Sequence, residues 1–191
     1  MKDVIVMSHK LFCILGESAS GKTSLVERIC ESTGMTQVIS YTTRPRRDGE
    51  SDNHIFVNDD VYEEMKKNNQ IAAYTQIGEY KYWSTIDQIY QSDIYVIDNI
   101  GVQSLRELNL QDIELCLIYI NVPKAIRRER AIKRGDNMDT YARRAADEFE
   151  QFANMKIHNR YDYAVSNIDS AKASSIIRWI INTERIGTVQ N

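Results

Sequence analysis

Residues 16–23 read G-E-S-A-S-G-K-T and follow directly on the apolar run L-F-C-I-L at 11–15. The spacing is that of a phosphate-binding loop, with Lys22 and Thr23 behind the second glycine. Gly16 and Gly21 permit backbone angles that turn several N–H groups into one concave space. A helix is expected over 22–32, and its unpaired amides and positive dipole end would face the same place. Lys22 offers a full charge to the outer phosphates, and the Thr23 hydroxyl is a ligand for Mg²⁺. The plainer reading is a strand-to-helix turn in which glycine only relieves crowding. The apolar run before the loop and the helical pattern after it favour the anion site.

Such a site needs a carboxylate for its metal. The run I-Y-V-I-D (94–98) brings Asp98 to the end of a buried strand, where loops adjoin the phosphate site. The same residue could instead cap the helix that N-I-G-V-Q-S-L begins. A second informative stretch is S-Y-T-T-R-P-R-R-D-G-E (40–50), with Arg44 and Arg47 close to Pro45. Guanidinium forks suit bidentate phosphate binding, so this segment reads as a second phosphate site. Residues 125–149 carry Arg127, Arg130, Arg134, Arg143 and Arg144 around a break at R-G-D-N-M-D. For any one of them a solvated helix face is the plainer reading. As a set they suit a lid that closes over a transferring phosphoryl group.

Apolar runs at 11–15, 37–43, 93–98, 115–122 and 161–167 alternate with helix-period segments. That alternation predicts an α/β protein with a five-stranded parallel core sheet. A brief strand is expected at 54–57, followed by a helix capped by Asn58. Residues 70–85 read as a hairpin around Gly78. The charged segment 124–159 reads as helix broken at 134–139. The last helix starts at an Asp cap and carries Ile176, Ile177, Ile180 and Ile181 at helical spacing. Insertions into the core are expected at 36–90 and 124–160.

The bulk composition narrows the classes. At 191 residues, 42% hydrophobic and 27% charged, the chain suits one well-packed domain rather than a disordered one. A net charge of −3 argues against nucleic acid or membrane as a bulk partner. Cys13, Cys30 and Cys116 show no C-x-x-C spacing, and two of them sit in strand-like runs as small hydrophobes. There is no secretory pattern at the start and no apolar run of the roughly 18 residues that a membrane span needs. A reduced, cytoplasmic protein, monomeric or homodimeric, is the expectation.

The order of these features resembles the guanylate kinase family of nucleoside monophosphate kinases, over about 11–181. S-x-T-T-R-x-x-R-x-G-E is specific to that family, and R-R-A-A-D-E-F (143–149) resembles a divergent bacterial branch of it. The resemblance implies a three-layer P-loop kinase fold with a small β-rich acceptor-binding insertion at 36–90 and a helical lid at 124–160. It implies ATP with Mg²⁺ on Gly16, Glu17, Ser18, Ala19, Ser20, Gly21, Lys22, Thr23 and Ser24, with Asn167 near the adenine. Ser40, Arg44, Arg47, Tyr82 and Ser84 match acceptor-binding positions. Asp98 matches a carboxylate on the acceptor and metal side. Arg134 and one of Arg143 or Arg144 match lid arginines, which with Lys22 and Arg44 would be the catalytic set.

Departures from the family pattern fall in the acceptor pocket. Ala73 stands at the position of a Glu that reads the guanine edge, His54 replaces a phosphate-binding Tyr, and Trp83 replaces a Gly. D-N-I-G stands for D-x-Q-G. Loss of a charged partner would weaken discrimination between bases. The expected reaction is ATP-dependent phosphorylation of a nucleoside monophosphate, GMP or dGMP first. Two rivals stay open: a kinase of another phosphorylated acceptor such as ribose 1,5-bisphosphate, and a catalytically silent binding module. The intact Lys22, Thr23 and arginines speak against the second.

Overall fold

The computed structural model describes residues 9–46, 52–158 and 160–187. Its core is a parallel sheet in the order β6 (Ile94–Val96), β1 (His9–Leu15), β7 (Ile113–Asn121), β8 (Tyr163–Ser166). Leu11 to Leu15 are completely buried on both faces, which is why this strand reads as an unbroken apolar run. Successive side chains nevertheless alternate between two layers. Phe12, Ile14, Ile118 and Ile120 pack on Leu25, Val26 and Ile29 of α1 (Lys22–Thr33) and on Ile177 and Ile181 of α7 (Ser170–Gly187). Leu11, Cys13, Leu15, Leu117 and Tyr119 face the other way, onto Val102 and Leu105 of α4 (Asn99–Leu108) and Phe152 and Met155 of α6 (Met138–Ile157). Helix, sheet and helix make the three layers.

The core sheet has four strands where the apolar runs predicted five. Gln37 makes an isolated parallel bridge to Ile94, after which the chain leaves the sheet. Ser40–Thr42 form β2 of a second, mixed sheet in the order β3 (His54–Phe56), β2, β5 (Tyr80–Thr85), β4 (Ile71–Ile77). The antiparallel register of Tyr41 and Thr42 with Trp83 and Tyr82 pulls this segment away from the core. Trp83 holds the small sheet together. It stacks on Tyr41 at 5.5 Å, meets Tyr62 of α2 (Asp59–Lys67) edge-on at 5.1 Å, and its indole N–H donates to Met65 Sδ.

The local signals mostly act as their chemistry predicts. Asn58 Oδ1 accepts from the Val61 amide at the start of α2. Gly78, at φ 62, turns β4 into β5. α5 (Lys124–Arg134) ends on Gly135 in the left-handed region, and Asn137 caps α6. Asp169 Oδ1 accepts from the amides of Ala171 and Lys172 ahead of α7. In α7, Ile177, Ile180 and Ile181 are buried, but Ile176 is 46% exposed and does not belong to the core face. A six-residue helix, α3 (Ile86–Gln91), was not expected; Thr85 and Gln88 form a capping box at its start.

Candidate active site

The loop leaves β1 at its C-terminal end and enters α1. Its shape depends on three positive φ angles, at Gly16 (150), Ala19 (61) and Gly21 (85). A Cβ at Gly21 would lie 2.6 Å from Asn167 Nδ2, and one at Gly16 would lie 2.8 Å from the Ile120 carbonyl oxygen. Both glycines are therefore fixed by crowding as well as by backbone angle. Asn167 Nδ2 donates to the Ser20 carbonyl at 2.7 Å, and Arg130 reaches the carbonyls of Ser20 (3.4 Å) and Asn167 (2.7 Å). The residue expected near the adenine thus also braces the loop.

Lys22 Nζ donates to the carbonyls of Gly16 (2.6 Å) and Glu17 (3.2 Å), so the ammonium is curled over the loop mouth. Burial pulls it down to about 8, against the pull of Glu148, Glu17 and Asp98. Thr23 and Ser24 are the second and third residues of α1. The Glu17 side chain does not face the mouth. It is 3% exposed and accepts from Tyr119 Oη (2.6 Å) and Lys156 Nζ (2.8 Å), with Arg127 at 3.6 Å. Burial alone would raise its carboxyl, but the bonds from Lys156 and Tyr119 outweigh that and the net direction is down. Ser18 donates its N–H and its hydroxyl to the two oxygens of Glu148, at 2.7 and 2.6 Å. The second and third residues of the loop therefore tie it to α6.

A cleft of about 100 Å³ lies between the small sheet and the strand ends of the core, lined by Ser40, His54, Ala73, Thr75, Tyr82, Tyr95 and Asp98. A larger hollow of about 230 Å³, walled by Leu105, Arg106 and Leu115, lies at the opposite ends of the strands, away from the loop. Asp98 closes the cleft. Its Oδ1 accepts from the Gly101 amide and from Thr75 Oγ1, both at 2.7 Å. It is thus the cap of α4, and it still presents a carboxylate close enough for its charge to be felt by Lys22. Burial raises its carboxyl, and the bonds from Gly101 and Thr75 oppose the rise.

The expected acceptor residues divide. Ser40 donates to Tyr95 Oη at 3.3 Å. Burial pushes the Tyr95 phenol up to about 12, against the Ser40 and Ser84 hydroxyls. Ser84 is completely buried beside that phenol and is not part of the cleft wall. Tyr82 Oη accepts from Arg44 Nε at 3.2 Å, and the buried Arg44 guanidinium lies over the Phe56 ring. His54 packs edge-on against Phe56 and Tyr82. Ala73 is buried in the cleft floor next to a shift of the β4–β5 register. Trp83 points to the far side of its strand, so its replacement of glycine serves packing and not the pocket. Arg47 lies outside the described residues.

Of the arginines expected on a lid, Arg134 pairs with Asp136 in the turn between α5 and α6. Arg143 is exposed, whereas Arg144 is half-buried, 4.0 Å from Glu148 and within electrostatic reach of Lys22. Sequence reasoning did not single out Thr75, Glu148, Tyr119 or Lys156. Nothing in a charged helix, a β-hairpin or an apolar strand distinguishes such residues until the chain is folded. Among the described residues, no group of three or more His, Cys, Asp and Glu side chains is gathered around one point. A divalent ion would rest on Thr23, Asp98 and the phosphates that accompany it. That fits Mg²⁺, which keeps several waters and takes only one or two carboxylates.

A model of the family described as guanylate kinase matches residues 8–184. A guanylate kinase of Hydrogenovibrio crunogenus is 30% identical over 181 residues, covering 86% of this chain and 87% of that one. One from Escherichia coli is 28% identical over 186 residues, covering 92% and 88%. The crystal structure of guanylate kinase from Anaplasma phagocytophilum is similar with a TM-score of 0.67 over 93% of this chain and 87% of that chain, at 22% identity. At that identity the last likeness speaks for the fold alone. No helix among the described residues is long and apolar enough to cross a membrane.

Proposed function

Because this chain belongs to the guanylate kinase family, we propose that it transfers the terminal phosphoryl group of ATP to GMP, giving ADP and GDP. The observation that carries the reading is that the two half-sites share a wall. Asp98 closes the acceptor cleft just past the end of β6, and the neighbouring Ile97 amide donates to the Ile14 carbonyl at 3.2 Å, two residues before the phosphate loop begins. In this reading an acceptor held in the cleft lies next to the donor's phosphates.

The donor rests on the amides of 16–23, with Lys22 on its outer phosphates and Thr23 and Asp98 on the metal side. Mg²⁺, when bound, neutralises charge on the donor oxygens. Arg44 and Arg47, with Tyr82 and Ser40, hold the acceptor phosphate inside the insertion 36–90. Arg134 and Arg144 of the lid 124–160 close over the transferring group. Arg144 is the better of the adjacent pair, since Arg143 points to solvent. An acceptor phosphate oxygen is already a nucleophile at neutral pH, so no strong general base is required. Catalysis is positioning and charge neutralisation.

The relatives named above are all guanylate kinases, and neither the sugar bisphosphate reading nor the silent module gains support from them. The test is ADP release from ATP·Mg²⁺ with GMP, dGMP, AMP, CMP, UMP and ribose 1,5-bisphosphate offered separately. Turnover is expected with GMP and dGMP. Faster turnover with another acceptor would move the reading to that compound.

A further inference from the structure

Glu148 lies on the lid helix α6, yet its carboxylate sits in the phosphate loop. One oxygen takes the Ser18 backbone N–H at 2.7 Å and the other takes the Ser18 hydroxyl at 2.6 Å. Its charge is felt by the Lys22 ammonium, and the Arg144 guanidinium stands 4.0 Å away. Arg144 Nε is buried with no hydrogen-bond partner among the described residues. A backbone amide and a hydroxyl close on one anionic group, with a guanidinium 4.0 Å away, and such a donor set also suits a phosphate. Ser18 also lies four residues before Lys22, on the rim facing the lid and away from α1. A triphosphate whose inner phosphates rested on the helix amides would carry its outer end toward that rim.

We propose that Glu148 is a built-in competitor for the donor's terminal phosphate: its carboxylate holds Ser18 and steadies Arg144 until ATP displaces it and takes both. The inference rests on the donor half of the proposed function. It assigns Glu148 as a positioning residue that lowers affinity for ATP and keeps Arg144 close to the loop between turnovers. The tie between Glu17 and Lys156 near the end of the same helix anchors it, so that the carboxylate can leave the loop without the whole helix leaving.

A competitor that occupies its site about nine-tenths of the time weakens apparent affinity about tenfold. Calorimetric titration of the full chain with ATP·Mg²⁺ and, separately, with ADP·Mg²⁺ reads this directly. Glu148→Ala should bind ATP about tenfold more tightly, and ADP should gain less because it lacks the terminal phosphate. Glu148→Gln, which keeps the shape and loses the charge, should move in the same direction by a smaller factor; it also supplies the answer if the alanine variant folds poorly. Unchanged or weaker ATP binding in a variant that melts like the parent would overturn the inference. GMP phosphorylation by the parent is measured in parallel. Its failure with ATP binding intact would count against the proposed function and leave the role of Glu148 standing.

Discussion

Replacing Glu17 tests whether the loop and α6 are held as one unit. Its carboxylate is 3% exposed and takes hydrogen bonds from Tyr119 and Lys156, with Arg127 beside it. Glu17→Ala strands two groups that cannot easily be hydrated, the Arg127 guanidinium and the Tyr119 hydroxyl. Removing one partner of a buried pair costs about 3–5 kcal/mol. The Lys156 side chain is 41% exposed and can return to water, which places the expected loss at the lower end, about 3 kcal/mol. For a chain of this size that lowers Tm by about 6–12 °C. Glu17→Gln keeps an acceptor for Tyr119 and should lose less. The sign with pH follows from the depressed carboxyl. Its stabilisation is present above the unfolded value of 4.5 and is lost as pH falls through the folded value. Thermal melts by circular dichroism at neutral and acid pH should therefore show a wide gap between parent and variant that narrows below pH 4.5. A Glu17→Ala melt within about 2 °C of the parent at neutral pH would refute the reasoning.

Other consequences can be checked with the same material. Gly21→Ala forces a Cβ to 2.6 Å from Asn167 Nδ2 at φ 85; backbone strain of about 1–3 kcal/mol should weaken ATP binding about tenfold or more in a titration. Lys22 titrates near 8, and a triphosphate favours its charged form, so ATP affinity should be full below pH 8 and fall as pH rises through it. Calorimetry in buffers of different ionisation enthalpy should register proton uptake near that pH, and Lys22→Met should abolish it. Thr75→Val removes one of the donors that hold Asp98 Oδ1, at a cost of about 1–3 kcal/mol; it should raise KM for GMP more than it lowers kcat, with Thr75→Ser restoring the parent value.

The phosphate loop was legible because its function and its fold make the same demand on sequence: glycines where the backbone turns inward, an apolar strand before it, a helix after it. Asn58 and Asp169 were legible for a similar reason, since each satisfies helix-end groups within a few residues of itself. Segment 37–43 misled because a run of β-forming residues does not say which sheet it joins. That choice is made by Trp83 and Tyr82, some forty positions away in the chain. Glu148 and Lys156 read as members of a solvated charged helix, and only the approach of α6 to the loop gives them partners. The inward turn of the Glu17 side chain was not legible either, because its donors Tyr119 and Lys156 lie more than a hundred positions away in the chain. Ile176 fits the helical period and still faces water, because α7 buries a narrower stripe than its isoleucines would allow.

The most direct measurement is the fate of the terminal phosphate of γ-labelled ATP·Mg²⁺ incubated with the full chain and GMP. Label recovered in GDP, and lost by several orders of magnitude in Lys22→Ala, is the predicted result. Label recovered only as inorganic phosphate, or left in ATP whether or not GMP is present, would contradict the claim that the loop and the Asp98 cleft form one phosphoryl-transfer site.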